Sequence, residues 1–364
     1  MSKVLMLGNS DIVIYNFRLE LVERLLSDGH NVIICAPYGE RIDALVSKGC
    51  EYHDILISRH GTNPFQDAKL IRDYKKLIKD VRPDIVFSYT IKPNIYGGMA
   101  CKKYHVPYVV NITGLGTAVE NSGLIQMITL MLYRIAFSKV RTVYFQNNEN
   151  MQFFVKHKIA LGKHVLLPGS GVNLVRFPYI QYPKNKTVRF AFISRIMKEK
   201  GIDQYLEAAE YITQKYSYTE FHVCGFCEAE YNGKLSELDD SRTVIYHGMI
   251  KNVAGFMADV SCIVHPTYYP EGISNVLLEA CATGRPIITT DRSGCREVVE
   301  DGVNGYMIPQ KDSKALIAAI EKFLALTDEE REKMGLAGRA KVEKEFDREI
   351  VVNAYMKEEA YGRV

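Results

Sequence analysis

The sequence alternates short apolar runs with helical patterns, and it does so twice, an order that few folds accommodate. In the first half the runs are KVLMLG, NVIICAP, DIVFSYT, YVVNIT and TVYFQ; in the second they are VRFAFISR, EFHVCG, TVIYHG, SCIVHP and PIITTD. Runs that stay apolar throughout belong to strands covered on both faces, hence to parallel sheets whose crossovers are helices. Between them, NFRLELVERLLSDG spaces its leucines at helical intervals and stops at Gly29, and FQDAKLIRDYKKLIKDVRP stops at Pro83. At 364 residues the chain is too long for one core. We expect an α/β protein with two Rossmann-like, doubly wound domains, residues 1–168 and 187–345. The joint falls at 169–186, within LLPGSGVNLVRFPYIQYPKNK, where prolines and glycines interrupt the periodicity. Two such domains facing each other leave a cleft at the carboxyl ends of their strands, where open α/β sheets take their ligands.

Composition removes several classes of function. With 47% apolar and 24% charged residues the chain is an ordinary globular one, and a net charge of +3 gives no reason to expect nucleic acid. Eight scattered cysteines, several inside apolar runs, indicate a reducing cytoplasm. Cys224 and Cys227 form a CxxC that could be half of a zinc site or a redox pair, but no second ligand pair follows, and packing is the expected role. The opening MSKVLMLGN reads as a first buried strand rather than a secretory leader. No run approaches the roughly 20 apolar residues that cross a bilayer. LIQMITLMLYRIAFSKVR, from Leu124 to Arg141, is either a buried helix or an amphipathic segment lying on an anionic membrane. GNSDIV after the first strand lacks the dinucleotide fingerprint, and no phosphate-binding GxxxxGK[ST] occurs.

The chemistry concentrates in PTYYPEGISNVLLEACATG. Glu271 should sit in a loop and Glu279 about two turns into a helix that Ser274 caps. That spacing, on the order of 12 Å, is too wide for two carboxylates working on one bond but suits the two ends of one long ligand. Between them the N–H groups near Ile273, Ser274 and Asn275, with Gly272 just before, would face an anion. A sugar, a diphosphate and a ribose fit that order. In SRIMKEKG, Arg195 and Lys200 follow a strand end and can neutralise a diphosphate leaving group. A third turn, at Ser293, Gly294 and Cys295 in TTDRSGCREVV, should offer further free N–H groups at the start of a helix.

Together, SRIMKEKG, the EX7E spacing in PEGISNVLLEACATGRPIITTD, GCREVVEDGVNGYMIP and the linker GVNLVRF resemble the retaining glycosyltransferases of family 4, which have the GT-B fold. The resemblance spans essentially the whole chain. It implies that Glu271 contacts the donor sugar, Glu279 the ribose, and Arg195 with Lys200 the diphosphate of a UDP-sugar, which is substrate rather than cofactor. It also implies that the last helix, within 346–364, crosses back onto the first domain. The first-domain stretches SRHGTNPFQDAKLIRDYKKLIKDVRPDIVFSYTIKPNIYGGMA and VVNITGLGT are similar to those of bacterial enzymes that extend undecaprenyl-diphosphate-linked sugars in capsule, O-antigen and glycoprotein oligosaccharide assembly. A lipid-linked acceptor in turn favours a peripheral position on the cytoplasmic face of the membrane.

The chain departs from that family at the loop after YVVNIT, where many members place a histidine; here stand Asn111, Ile112, Thr113 and Gly114. No catalytic histidine is therefore assigned, His60, His105 and His265 included. Lys92 and Arg59 are the candidates for the acceptor's phosphates, and Asn111 and Thr113 for other acceptor contacts. Asp239 and Asp240 are read as solvated charge, so no metal is expected. The implied reaction is front-face displacement with retention, the departing phosphate accepting the acceptor's proton. Two other readings stay open, a UDP-sugar 2-epimerase and a sugar-nucleotide-binding protein without catalysis.

Overall fold

The computed structural model describes residues 1–58, 63–116, 119 and 123–361. They divide into two compact units, one of residues 1–171, 270–272 and 348–361, the other of residues 172–269 and 273–347.

The first unit is built on a seven-stranded parallel sheet: β1 (Lys3–Leu7), β2 (Asn31–Ala36), β3 (Glu51–Asp54), β4 (Ile85–Tyr89), β5 (Tyr108–Ile112), β6 (Thr142–Phe145) and β7 (His164–Leu166). Their order in the sheet is β3-β2-β1-β4-β5-β6-β7. Side chains alternate across it. Leu5, Leu7, Val86 and Val110 point into one core with Tyr74, Tyr133 and Phe154 of the helices Pro64–Val81, Leu124–Phe137 and Asn148–Lys156. Val4, Met6, Phe87 and Val109 point into the other, against helix Asp11–Ser27 and the last helix, Arg348–Tyr361. Both faces are thus covered, which is why the strands read as unbroken apolar runs.

The second unit repeats the plan with six parallel strands, β8 (Val188–Ile193), β9 (Thr219–Cys224), β10 (Ile245–Tyr246), β11 (Cys262–His265), β12 (Ile287–Thr290) and β13 (Gly305–Ile308), ordered β10-β9-β8-β11-β12-β13. Helices Ile202–Lys215 and Ser313–Leu324 pack on one face, and Asn275–Ala282 and Asp328–Glu345 on the other. In each sheet the strand order reverses once, between β1 and β4 and between β8 and β11. At such a reversal neighbouring strands send their following loops in opposite directions and leave a crevice at their carboxyl ends.

Candidate functional site

In the second unit the residues after β8 and β11 meet at the reversal point. Gly201 takes a left-handed φ of +80°, and a Cβ there would collide with the carbonyl of Pro266, so only glycine lets the turn Lys198–Lys200 lie against the end of β11. The segment after β11 is fastened to that turn. Tyr268 N–H donates to the Glu199 carbonyl at 2.9 Å, and the Thr267 hydroxyl donates to the same oxygen at 3.3 Å. Tyr269 N–H donates to the Thr267 hydroxyl at 3.1 Å, while Arg292 Nε donates to the Tyr269 carbonyl at 2.9 Å.

This fastening fixes the ring of Tyr269 beneath two cations. The Lys200 Nζ stands 4.9 Å and the Arg195 Cζ 5.6 Å from its centroid. Like charges repel, and a π face under both offsets part of that cost. Burial, and then the Arg195 guanidinium, pull the Lys200 amine down to about 7, with Cys295 opposing. His265 ends β11, fully buried with neither ring nitrogen partnered and held well below the usual imidazole range by burial and by Lys200. It packs beside Phe192, as its place at a strand end suggested.

Helix Asn275–Ala282 begins where expected, with Ser274 as its N-cap in extended backbone. Ser274 uses its own N–H on the Gly294 carbonyl at 2.8 Å, and its side chain makes no capping bond. Asn275 keeps a buried Oδ1 without a partner. Ile273 is buried in the core, and Glu279, half-buried, lies on the helix that this cap starts. The third turn corrects an expectation. Gly294 N–H donates to the Glu297 carboxylate at 2.7 Å, Cys295 N–H donates to the Arg292 carbonyl at 3.0 Å, and no helix follows. Glu297, three residues on, folds back and occupies the N–H group of Gly294. Cys295 is a buried thiol pushed up to about 11 by burial.

Glu271 and Gly272 belong to the first unit. Asn147, fully buried, caps helix Asn148–Lys156 through its Oδ1 and gives its Nδ2 to the carbonyls of Glu271 at 3.1 Å and Gly272 at 2.9 Å. At Gly272 a Cβ would collide with the Gln146 amide oxygen and lie 2.7 Å from the Thr113 carbonyl. Thr113 therefore bounds this loop through its backbone.

Two acceptor candidates change roles. Lys92 is paired with Asp67 at 2.9 Å, both largely buried, so its charge fastens helix Pro64–Val81 to the π-helical turn Pro93–Gly97. Asn111 is fully buried. Its Nδ2 donates to the Tyr355 hydroxyl at 3.0 Å, its Oδ1 accepts from Gln146, and its carbonyl accepts from Asn94 at 2.9 Å. It ties β5 to the last helix and is not open to a ligand. Arg59 lies outside the described residues. At the end of β4, Ser88 Oγ, Thr90 Oγ1 and Asn94 Oδ1 are buried and unpartnered, and Thr90 holds a left-handed φ of 70°. A β-branched residue in that region is a strained one, of the kind found at ligand sites.

Cys224 is buried and Cys227 half-buried, both as free thiols. Asp239 accepts the N–H of Tyr246 at 2.9 Å, a structural duty that the sequence reading missed. Tyr269, Gln146, Asn147 and Glu297 were also missed. Only the polar run FQNNEN after β6 signalled any of them.

A model described as glycosyl transferase 4-like matches residues 3–147, and one described as glycosyl transferases group 1 matches residues 187–326. The chain is 25% identical, over 98% of both lengths, to the N,N'-diacetylbacillosaminyl-diphospho-undecaprenol alpha-1,3-N-acetylgalactosaminyltransferase of Campylobacter jejuni. It is 26% identical to the capsular polysaccharide biosynthesis glycosyltransferase CapM of Staphylococcus aureus, over 79% of this chain and 80% of that one. Two solved structures share its fold at 16% identity. A glycosyltransferase of Rickettsia africae superposes with a TM-score of 0.81 over 98% of this chain and 97% of that one. HepE of Anabaena, solved with UDP and glucose, superposes with a TM-score of 0.80 over 99% and 100%.

Proposed function

Because the chain belongs to the GT-B glycosyltransferases, a glycosyl transferase 4-like domain followed by a group 1 domain, we propose that it moves a hexose or N-acetylhexosamine from a UDP-sugar to a hydroxyl of an undecaprenyl-diphosphate-linked sugar. The product would be a bacterial surface glycan in assembly. Supporting the acceptor class are the Campylobacter relative, matched over 98% of its length, and the capsular one. Both are transferases, which favours transfer over epimerisation.

The observation that carries the reading is the pair Arg195 and Lys200 held over Tyr269, at the strand reversal where a diphosphate would reach both. A nucleoside diphosphate leaving group accumulates charge as its bond to the sugar breaks, and preorganised cations stabilise that charge without reorganising. In the proposed step the bond between the anomeric carbon and the β-phosphate oxygen breaks. The acceptor hydroxyl bonds to that carbon from the same face and hands its proton to the departing phosphate, so the configuration is retained. Glu271 would hold the sugar and Glu279 the ribose. Ser88, Thr90 and Asn94, with unpartnered polar atoms at the carboxyl end of β4, take the place of Lys92 and Asn111 as acceptor-side candidates.

The exposed apolar face of helix Leu124–Phe137 supports work at a membrane surface. Among the described residues no helix is long and apolar enough to cross a bilayer. The test is a screen of UDP-sugars against a short-chain polyprenyl-diphosphate sugar, with the linkage of any product read by NMR. A new glycosidic bond of retained configuration is the expected result. UDP-sugar epimerised in the absence of acceptor would replace this reading with the isomerase.

A further inference from the structure

We propose that a cationic bowl formed by Arg134, Lys158 and Lys163 binds the phosphate of an anionic glycerophospholipid headgroup and so fixes how the first unit lies on a bilayer. The inference rests on the membrane-surface part of the reading above and goes beyond it by naming a headgroup site away from the acceptor. The bowl is a cavity of about 370 Å³ whose floor is Phe137, Val140 and Ile159, each at most 2% exposed. The residues that line it include three cations and no carboxylate. Arg134 is held at the rim by a 3.1 Å hydrogen bond to the His157 carbonyl. The facing turn is held by two non-glycine residues in the left-handed region, Lys158 at φ 54° and Ala160 at φ 51°. Arg141, which follows in the chain, is spent on Glu358 at 3.1 Å and is not available to an anion.

Topology separates this bowl from the acceptor side. Arg134 to Val140 lead into β6 and Lys158 to Lys163 lead into β7, so the bowl sits at the amino ends of those strands. Ser88, Thr90 and Asn94 lie at the carboxyl end of β4, about a strand length away, on the order of 15 Å. Helix Leu124–Phe137 runs between the two ends over roughly 20 Å. Its inner face buries Leu130, Tyr133 and Phe137, while Leu124, Ile125, Met127, Ile128, Met131 and Ile135 remain more than 40% exposed. An apolar strip alone does not name its occupant. A strip that ends in three cations around an apolar-floored cavity matches a ligand presenting hydrocarbon and phosphate together, which is the interface of an anionic bilayer. A nucleic acid or a free phosphate would leave the strip without a counterpart.

Sedimentation of the full chain with vesicles of phosphatidylcholine alone, or mixed with phosphatidylglycerol, tests this. The wild type should bind the mixed vesicles more tightly. The triple variant Arg134→Gln, Lys158→Gln, Lys163→Gln should lose that preference by roughly a hundredfold, about fivefold per charge removed, with its affinity for UDP intact. Met127→Ser with Met131→Ser should weaken binding to both vesicle types. A triple variant that binds mixed vesicles as the wild type does overturns the headgroup site, as does wild-type protein that binds free glycerol phosphate as tightly as it binds those vesicles. Wild-type protein that ignores both vesicle types removes the membrane reading itself. Failure to transfer sugar to a short-chain acceptor removes the transferase reading and leaves the vesicle result standing.

Discussion

A single ring, that of Tyr269, lies against both cations of the proposed donor site. Without the face of Tyr269, Arg195 would push Lys200 further from protonation, since burial and that guanidinium already hold the amine near 7. A diphosphate bound at this pair, as proposed, would raise the amine, and nucleotide binding would then take up a proton above about pH 7. Affinity for UDP should therefore fall as pH rises from about 7 towards 10, and calorimetry in buffers of different ionisation enthalpy would register the proton. For folding the sense is opposite. The unfolded chain keeps this lysine near 10.5, so between the two values it binds more protons than the native state, and the cost of burying Lys200 disappears as pH rises through that window. Lys200→Met should flatten the binding profile and weaken UDP at pH 6.5 by roughly 10- to 100-fold, the value of a hydrogen bond to a charged group. Tyr269→Phe should keep the wild-type profile, and Tyr269→Leu should shift its fall to lower pH; identical profiles for the two variants would show that the ring does not act on the cations. Gly272→Ala meets both Gln146 and the Thr113 carbonyl, and should lower kcat at least tenfold in a folded protein. Arg195 and Lys200 were legible as candidates because a diphosphate reading asks for cations at strand ends. Tyr269 and Asn147 were not, because a ring beneath a cation and an amide bridging two distant segments are products of tertiary structure. Lys92 misled for the same reason, its partner Asp67 lying 25 residues earlier in the chain.

At the scale of elements, apolar runs located most of the strands, and the three that they missed share a position. β3 reads EYHD with exposed side chains, β7 reads HVL, and β13 reads GYMI; all three end their sheets. β3 and β7 have little cover, so they need no continuous apolar stretch and give little signal, whereas β13 is mostly buried but is four residues long and starts on a glycine. The last helix was anticipated, but the means by which it is fixed was not. Arg348 gives one guanidinium nitrogen to the Gly171 carbonyl at 3.0 Å and another to both oxygens of Glu20 at 2.9 Å. His30 and Glu359, each at most 2% exposed, stand 3.2 Å apart at the other end of the helix. Arg348→Met would remove both the fork on the Gly171 carbonyl and the pair with Glu20. We expect a loss of about 3 kcal/mol in urea unfolding followed by circular dichroism, as for breaking a largely buried pair. Arg348→Lys should recover only part, because an ammonium cannot reproduce the planar fork. A midpoint unchanged in both variants would mean that apolar packing of Val351, Val352 and Tyr355 alone holds the helix.

Over the whole molecule, the two sheets repeat one plan but spend their crevices differently. Where β8 and β11 part, two cations and a helix start collect, suited to an anion; where β1 and β4 part, the buried groups of Ser88, Thr90 and Asn94 are neutral, suited to hydroxyls. On the proposed reading, this division would put the charge compensation for the leaving group on protein side chains. Among the described residues no group of three or more His, Cys, Asp and Glu converges to hold a metal ion. A metal could still arrive bound to the nucleotide, so the cations and the metal compete as explanations for how the diphosphate is neutralised. If Arg195 and Lys200 suffice, transfer in EDTA should stay within twofold of the untreated rate. Arg195→Gln should then lower kcat by 100-fold or more, the order found on removing one preorganised donor from an oxyanion site, and added manganese should not restore it. A wild-type rate that collapses in EDTA and returns with manganese would transfer that role from the two side chains to the ion.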